Sequence, residues 1–445
     1  MERDPLADHE RKQNGGQRHR ISATSLVKYI VAVQLRGHKP VQSLSTINCC
    51  LPDEIERNSH RMTLMNDPAV LGVNERATNP TGIFPSQTLR GLIDMGSVTA
   101  PTPISDDLIQ PASIDLRLGE FAWRVQASFL PGPEATVEDK VRAFGMHQID
   151  LTDGAVLEKG CVYIVPLQES LDLPDDVSAF ANPKSSTGRL DIFTRVISDR
   201  GTRFDLIRPG YAGPIYAEVS PKTFSIAVRT GSRLTQLRLR RGRAEVTPEE
   251  LFHLHEEVGL IDAPFDPEEV REHQSLSLRL DLGPDAPGGI VGWRARHHTS
   301  ILDLDQPDNY DPGDFWEPVS ARQGAIILNP DDFYILATRE AVTVPPDYAA
   351  EMVAYDTLVG EFRVHYAGFF DPGFGWHPDD RSIGSRGVLE VRSHDVPFLL
   401  EHEQVIGRLR YERLIERPEK IYGIDIGSHY QGQGLKLAKQ FKSPN

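Results

Sequence analysis

Short stretches of alternating hydrophobic and polar residues, broken by proline and glycine, cover most of the chain. Such alternation with many β-branched side chains is typical of half-buried strands. The clearest examples are SIDLRLG, CVYIVPL, PIYAEVS, FSIAVRT and LTQLRLR. PSQTLRGLIDMG has leucine and isoleucine at helical spacing instead, and there we predict a helix with Ser86 as its N-cap. The pattern predicts an all-β protein with a few short helices.

The strand pattern occurs twice along the chain. VYIVPLQESLDLP at 162–174 matches FYILATREAVTVP at 333–345. YAEVSPKTFSIAVRTGSRLTQLRL at 216–239 matches VLEVRSHDVPFLLEHEQVIGRLRY at 388–411. The two offsets are 171 and 172 residues, and chance similarity between short β segments does not produce nearly equal offsets. We therefore predict two tandem copies of one β unit.

Changes in composition mark the limits of these two copies. Residues 1–75 are polar and weakly periodic, so we predict a disordered extension there. The copies themselves are assigned to residues 76–244 and 274–415. The charged segment 245–273 between them predicts a helical connector. The glycine-rich end, residues 416–445, predicts a tail or a lid that closes on a ligand.

Composition and charge exclude several classes of function. The 445 residues carry a formal net charge of −16, which argues against a nucleic-acid-binding protein because such a protein needs a basic face. No apolar run approaches the ~20 residues of a membrane span. The three cysteines, Cys49, Cys50 and Cys161, have neither a disulfide framework nor zinc-finger spacing. We expect a cytoplasmic protein without zinc, membrane or nucleic-acid partners.

PKSSTGR, residues 183–189, concentrates hydroxyl and cationic side chains. Ser185 and Ser186, flanked by Lys184 and Arg189, form a compact set of donors for phosphate oxygens. Taken alone, the segment favours a simpler interpretation, a turn that leads into a helix capped by Ser185.

A second motif places one glutamate inside an apolar strand of each copy. RPGYAGPIYAEV contains Glu218, and DPGFGW followed by SRGVLEV contains Glu390. A carboxylate in such a strand is costly unless it is paired or functional. The alternative is an edge strand whose glutamate faces water. Because both copies keep the glutamate after a short apolar run and before a valine, we favour a functional origin.

Together these motifs resemble the dCTP deaminase and dUTPase family, and most closely its long bacterial dCTP deaminases with two tandem repeats. QPASIDLRLG is similar to the family's opening strand, and KSSTGR to its phosphate-binding R-S-S-x-x-R with lysine as the first residue. HYAGFFDPGFG with VLEV resembles the alanine, the D-P-G-aromatic turn and the catalytic glutamate. YGIDIGSHYQGQ resembles the C-terminal lid, with His429 where lysine is usual. The resemblance covers residues 84–434 and implies two dUTPase-like β-barrel (β-clip) repeats.

The resemblance also implies a reaction, the deamination of dCTP to dUTP and ammonia, which feeds dUMP and dTTP synthesis. A glutamate would act as general base on water without zinc, and Mg²⁺ would accompany the triphosphate. Serine and arginine would orient the water and the phosphates, and a backbone carbonyl near Ala367 would recognise the exocyclic amine.

Each copy departs from the family pattern at a different place. The first has Arg208 where the family has the aspartate of its turn, and the second has AYDTLVGE in place of S-S-x-x-R. In the homotrimeric relatives these motifs come from neighbouring subunits, so a duplicated chain can combine them. We predict a composite site made of Lys184, Ser185, Ser186 and Arg189 of the first copy, Ala367, Asp371 and Glu390 of the second, and Tyr422, His429, Tyr430 and Gln433 of the tail. The competing arrangement uses Glu218 as the base.

Two other functions stay open. Asp371 in the turn leaves a bifunctional dCTP deaminase and dUTP diphosphatase open, and the incomplete motifs leave a non-catalytic nucleotide-binding relative open. A homo-oligomer is also open, because the relatives that the chain resembles are oligomeric.

Overall fold

The computed structural model describes residues 79–443 except 265, 355–361, 366–367, 380–383, 394 and 426–431. The predicted extension, residues 1–75, lies outside the described residues. Strands dominate the described part, so the predicted all-β class is confirmed. Its α-helices are α1 Ser86–Asp94, α2 Val137–Phe144, α3 Ser185–Gly188, α4 Pro248–Val258, α5 Pro267–His273 and α6 Pro312–Phe315. Short 3₁₀ turns cover Asp106–Leu108 and Pro287–Gly289. Within these ranges no helix has the length and apolar content that crossing a membrane requires.

Helix α1 begins one residue earlier than predicted. Ser86 is its first helical residue, and Pro85 is the N-cap, without a side-chain capping hydrogen bond. The Ser86 side chain is buried, and its backbone N–H donates to the carbonyl oxygen of Pro111 at 2.9 Å. A neighbouring loop therefore satisfies a donor that a capping side chain often satisfies.

The strands fall into two sets. The first set is β1 Gly82–Ile83, β2 Val98–Thr99, β3 Ile114–Leu116, β4 Phe121–Val125, β5 Gly145–Asp150, β6 Ala155–Leu157, β7 Val162–Asp172, β8 Val177–Pro183, β9 Ile192–Ser198, β10 Leu206–Ile207, β11 Ala212–Pro221, β12 Ile226–Val228 and β13 Thr235–Arg241. The second set is β14 Leu276–Arg279, β15 Gly292–Ala295, β16 Leu302–Asp303, β17 Trp316–Val319, β18 Ala325–Leu328, β19 Phe333–Val342, β20 Tyr348–Ala354, β21 Phe362–His365, β22 Phe369–Phe370, β23 Ser385–Ser393, β24 Phe398–Glu401 and β25 Val405–Arg413.

The two sets form sheets with the same strand order. In the first repeat the order is β5-β4-β7-β11-β9, and in the second it is β17-β15-β19-β23-β21. A second sheet contains β3, β13, β8 and β10 in one repeat and β14, β25, β20 and β22 in the other. Small ladders β6–β12 and β18–β24 correspond in the same way. The predicted internal duplication is confirmed by this shared topology.

Glu218 and Glu390 occupy the same register in this duplicated sheet. Glu218 of β11 lies opposite Ile164 of β7, and Glu390 of β23 lies opposite Ile335 of β19. Strand β9 flanks β11 on its other side, as β21 flanks β23. Both glutamates therefore lie inside a sheet, and the alternative of an edge strand with a water-facing glutamate is wrong for both.

The end of the chain returns from the second repeat to the first. Leu437, Ala438 and Phe441 are buried in a hydrophobic cluster made mainly of first-repeat residues, together with Phe315 and Trp316. Burial of one phenylalanine side chain contributes roughly 1.5–3 kcal/mol. Strand β16 adds a second tie, because it pairs in parallel with β12 of the first repeat. This packing brings the tail next to the KSSTGR segment (residues 184–189).

Candidate active site

One cavity of about 400 Å³ lies between the two repeats and the tail. Its lining includes Asp107, Gln110, Asp115, Pro183, Lys184, Ser185, Ser186, Gly188, Arg189, Arg233 and Gln236 of the first repeat, Met352, Gly368, Phe369, Phe370, Asp371, Phe374, Val388 and Glu390 of the second, and Tyr422, Gln433 and Lys439 of the tail. The KSSTGR segment and the strand of Glu390 thus line one cavity, as the composite prediction requires. Ala367, His429 and Tyr430 lie outside the described residues.

The KSSTGR segment follows directly on the end of β8. The backbone N–H of Lys184 donates to the carbonyl oxygen of Leu234 at 2.9 Å, which anchors the segment to the start of β13. The single turn α3 then begins at Ser185, with Lys184 as N-cap and no side-chain capping bond. The interpretation of Ser185 as a helix cap is therefore wrong. The Lys184 ammonium forms a salt bridge with the buried carboxylate of Asp115 on β3.

Arg189 joins the KSSTGR segment to the tail. Its side chain is buried, its Nη1 donates to the carbonyl oxygen of Lys436 at 2.8 Å, and its Nη2 donates to Oε1 of Gln433 at 3.0 Å. The Gln433 Nε2 in turn donates to the carbonyl oxygen of Arg386 on β23 at 3.2 Å. Gln433 therefore bridges the two repeats at the wall of the cavity.

Glu390 is the acidic residue in the middle of β23. Its exposed fraction is 6%. Burial raises the pKa of Glu390 to about 8, although the nearby Arg189 guanidinium lowers it. A carboxyl group with this pKa is present in both protonation states near neutral pH, which is a property of proton-transferring groups in enzymes.

Asp371 lies in the D-P-G turn after β22. Its Oδ1 is 3.4 Å from Nη2 of Arg238, a fully buried residue of β13. Burial raises the pKa of Asp371, and the Arg238 guanidinium lowers it. The turn continues through Gly373 with a φ of +98°, where a Cβ atom would lie 2.3 Å from Cγ2 of Ile421. Glycine is needed there because both the left-handed backbone and the close approach exclude a side chain.

Arg238 belongs to the first repeat and connects it to the second repeat next to the D-P-G turn. Its Nη1 donates to the carbonyl oxygen of Ala350 at 3.2 Å and to Oε2 of Glu412 at 3.4 Å. Its guanidinium lies 4.0 Å from the centre of the Phe369 ring, which lines the cavity. The sequence held no signal for this residue, because the alternation in LTQLRLR places Arg238 at a polar position between two core leucines.

Glu218 lies elsewhere, outside the lining of this cavity. Its exposed fraction is 1%, and its Oε1 accepts a hydrogen bond from Nη2 of Arg195 on β9 at 2.5 Å. The Arg195 guanidinium also donates to Oγ of Ser128 at 2.8 Å and lies 3.5 Å from the centre of the Phe204 ring. The structure therefore brings Glu390, and not Glu218, next to the KSSTGR segment.

Other lining residues were absent from the sequence prediction. Asp115, Arg233 and Lys439 supply charge to the cavity, and Gln236 supplies an amide. An acidic residue inside the apolar strand SIDLRLG was a signal for Asp115, the same signal that identified the two glutamates. Nothing in the sequence indicated that Lys439 lines a cavity, apart from its place in a basic tail.

Magnesium was expected to accompany a triphosphate. In the part of the chain that the structure describes, no three histidine, cysteine, aspartate or glutamate side chains lie close enough together to hold a metal ion. Magnesium retains several waters and commonly binds substrate phosphates. A magnesium ion held by the triphosphate therefore stays a prediction.

The fold and the cavity together define a class of protein: a duplicated dUTPase-like β protein whose two repeats and tail enclose a polar cavity with a buried glutamate and several cations. Models of the N-terminal and C-terminal domains of 2'-deoxycytidine 5'-triphosphate deaminase match residues 80–243 and 247–441. The chain belongs to the dCTP deaminase family.

Individual relatives agree with this assignment. A dCTP deaminase of Haloarcula marismortui is 32% identical over 152 residues, which is 34% of this chain and 74% of the relative. A protein of Beutenbergia cavernae named "dCTP deaminase, dUMP-forming" is 30% identical over 156 residues, which is 35% of this chain and 77% of the relative. The crystal structure of 2'-deoxycytidine 5'-triphosphate deaminase from Agrobacterium tumefaciens is 54% identical, with a TM-score of 0.71, and covers 75% of this chain and 99% of that protein.

Proposed function

We propose that the protein deaminates dCTP to dUTP and ammonia in the cavity between its two repeats. The observation that carries this proposal is the composite lining, in which Ser185, Ser186 and Arg189 of the first repeat share one cavity with Glu390 of the second. Each repeat supplies a part that the other lacks. The names of the matched relatives support the same substrate.

In the proposed reaction Glu390 accepts a proton from a water molecule, and the water oxygen attacks C4 of the cytosine ring. The C4–N bond then breaks, and the oxygen becomes the C4 carbonyl of uracil. Of the two water protons, one ends on N3 of the ring and the other on the departing ammonia, with Glu390 as the carrier. No oxidant or reductant is needed, and the glutamate returns to its starting state.

The pKa of Glu390 fits this role. With the pKa raised to about 8 by burial, about one tenth of the molecules carry the carboxylate at pH 7. A more acidic glutamate would be a weaker base, whereas a glutamate with a much higher pKa would rarely be ionised. The Arg189 cation beside it holds the pKa within the useful range.

The cations of the KSSTGR segment would hold the phosphates. Arg189 is positioned by Gln433 and by the Lys436 carbonyl, and Lys184 is positioned by Asp115. Hydroxyl groups of Ser185 and Ser186 add hydrogen-bond donors between them. Mg²⁺ on the triphosphate would neutralise part of its charge without requiring a cluster of protein ligands.

A second candidate is a bifunctional enzyme that also converts dUTP to dUMP. Five matched relatives, among them those of Beutenbergia cavernae and Streptomyces coelicolor, have names that include "dUMP-forming". Asp371 lines the cavity and would be the base for a second water in such a reaction. Burial raises the pKa of Asp371 and so disfavours the ionised form that this role needs, while the Arg238 guanidinium partly opposes this effect.

Incubation of the protein with dCTP and Mg²⁺, followed by ammonia measurement and nucleotide separation, distinguishes these candidates. We expect equal amounts of ammonia and dUTP. Ammonia with dUMP and pyrophosphate would instead identify the bifunctional enzyme. Nucleotide binding without ammonia would overturn the proposed function and leave the non-catalytic relative.

A further inference from the structure

A second cavity, of about 480 Å³, adjoins the active-site cavity. The two cavities share three lining residues, Ser186, Arg233 and Lys439. The second cavity extends from them along the turn after β12, where it is lined by Arg229 and Thr230, and along the loop after β16, where it is lined by Asp305. It therefore continues the active-site cavity beyond the KSSTGR segment.

Two arginines in this second cavity are already neutralised. Arg229 forms salt bridges with Asp303 at 2.8 Å and with Asp305 at 2.7 Å, and Arg233 forms one with Asp107 at 2.6 Å. Three carboxylates face these two arginines, so the arginines add no net attraction for an anion.

Lys439 differs from these arginines. Among the described residues, no ion pair or side-chain hydrogen bond holds its ammonium group, and it lies where the two cavities meet. Burial lowers the pKa of Lys439, and the positive charge of Lys184 lowers it further, whereas the negative charges of Asp115 and Asp305 raise it by less. A half-buried ammonium beside a second cation is an arrangement that an anion would stabilise.

The backbone around Lys439 is fixed in place. Its carbonyl oxygen accepts a hydrogen bond from the N–H of Asp308 at 2.9 Å. The next residue, Gln440, is buried, and its Nε2 donates to the carbonyl oxygen of Leu304 at 2.8 Å. The ammonium is therefore presented at the junction by a packed segment, which lowers the entropic cost of binding.

The second cavity also contains buried polar atoms that lack partners. Within the described ranges, Oγ1 of Thr230 and Oε1 of Gln440 have no hydrogen bond. Buried polar atoms in folded proteins are nearly always paired with protein, ligand or water. Thr230 and Gln440 both line the second cavity, which makes an occupant of that cavity a candidate partner for these atoms.

We propose that the second cavity receives the terminal phosphate of the nucleotide and that Lys439 binds this phosphate at the junction. The inference rests on the proposed function: the base lies near Glu390, and the phosphates extend past Ser186 into the second cavity. Because no carboxylate among the described residues forms an ion pair with Lys439, its ammonium group is free to bind this phosphate and so to distinguish a nucleoside triphosphate from a diphosphate.

Lys439→Ala tests this inference through the ratio of kcat/KM for dCTP to kcat/KM for dCDP. We expect the ratio to fall about tenfold or more through a higher KM for dCTP, since a hydrogen bond to a charged group is worth at least this factor. Lys439→Arg should retain most of the ratio. Lys442→Ala, an exposed lysine of the same tail, is the matched control and should leave the ratio unchanged.

Thr230→Val tests the cavity apart from Lys439. Valine keeps the shape of threonine, and the hydroxyl that it removes has no partner among the described residues, so we expect the fold to be no less stable. We expect a higher KM for dCTP and an unchanged KM for dCDP.

Calorimetric binding of inorganic tripolyphosphate separates this inference from the proposed function. We expect the Lys439→Ala variant to bind tripolyphosphate about tenfold more weakly than the parent, and the Lys442→Ala variant to bind it equally. If the parent releases no ammonia from dCTP but shows this difference, the proposed function fails and the anion site stands. Unchanged tripolyphosphate binding together with an unchanged dCTP to dCDP ratio would overturn the inference.

Discussion

Glu218 and Glu390 occupy the same position in two repeats but have different surroundings. Each lies opposite an isoleucine of the longest strand of its repeat, and each is almost fully buried. In the first repeat, Arg195 on the adjacent strand binds the Glu218 carboxylate at 2.5 Å. In the second, Glu390 lines a cavity, and burial raises its pKa to about 8. The ion pair with Arg195 thus distinguishes Glu218 from Glu390, which faces a ligand-sized cavity.

The largest expected effect is the loss of turnover in Glu390→Gln. Glutamine keeps the size of the side chain but cannot accept the proton of water. General-base catalysis contributes roughly 10²–10⁴-fold, so we expect kcat for ammonia release from dCTP to fall by about 10³-fold. Steady-state ammonia release at saturating dCTP measures this loss.

Glu218→Gln is the matched control for that experiment. It makes the same chemical change at the equivalent register, so we expect turnover to be retained. If only the Glu218 variant loses turnover, the composite arrangement is wrong and the competing arrangement is correct.

The second effect is the pH dependence of kcat/KM. In the proposed reaction the carboxylate of Glu390 is the active form, and its fraction grows as pH rises toward the pKa of about 8. We therefore expect kcat/KM to rise about tenfold per pH unit below this value and to level off above it. Initial rates between about pH 6 and 9, with folding checked by circular dichroism, measure the profile. A decrease over this range would show that the protonated acid is the active form.

The third effect is on stability, and it has opposite signs in the two repeats. The folded-state pKa of Glu390 lies above its usual 4.5, so its contribution to stability is complete below pH 4.5 and is lost as pH rises toward about 8. Glutamine does not titrate, so we expect Glu390→Gln to be about 1–3 kcal/mol more stable than the parent at pH 7.

Glu218→Gln should instead be less stable, because it removes the partner of Arg195. A fully buried pair loses about 3–5 kcal/mol when one partner is removed, and the 22% exposure of the Arg195 side chain reduces this to about 1–3 kcal/mol. Urea unfolding at pH 7 measures both variants. Equal shifts of the same sign would show that the two glutamates have equivalent surroundings.

Much of this fold could be predicted from the sequence, because alternation reflects local backbone geometry and a nearly constant offset reflects internal duplication. The grouping of Ser185, Arg189 and Glu390 was also predictable, since each copy lacks the motif that the other keeps. The roles of Arg195, Arg238 and Lys439 were not. Each of these residues acts through a partner or a cavity that is distant from it in the sequence. A cation within a strand or a tail is usually a surface residue, so its burial can be recognised only when the strand register and the path of the tail are known.

The smallest expected effect concerns the Arg195–Glu218 ion pair. The question is whether its two charges have a structural role beyond occupying the space between the strands. The double variant Arg195→Met with Glu218→Leu replaces both partners with apolar residues, so neither charge is left buried and unpaired. Such double replacements of a buried ion pair often leave the free energy of unfolding unchanged or increase it. Methionine also keeps contact with the rings of Phe193 and Phe204, against which the guanidinium lies at 4.5 and 3.5 Å. We expect a free energy of unfolding within about 1 kcal/mol of the parent and unchanged turnover. A double variant as unstable as Glu218→Gln alone would mean that the bond from Arg195 to Ser128 holds β9 in place.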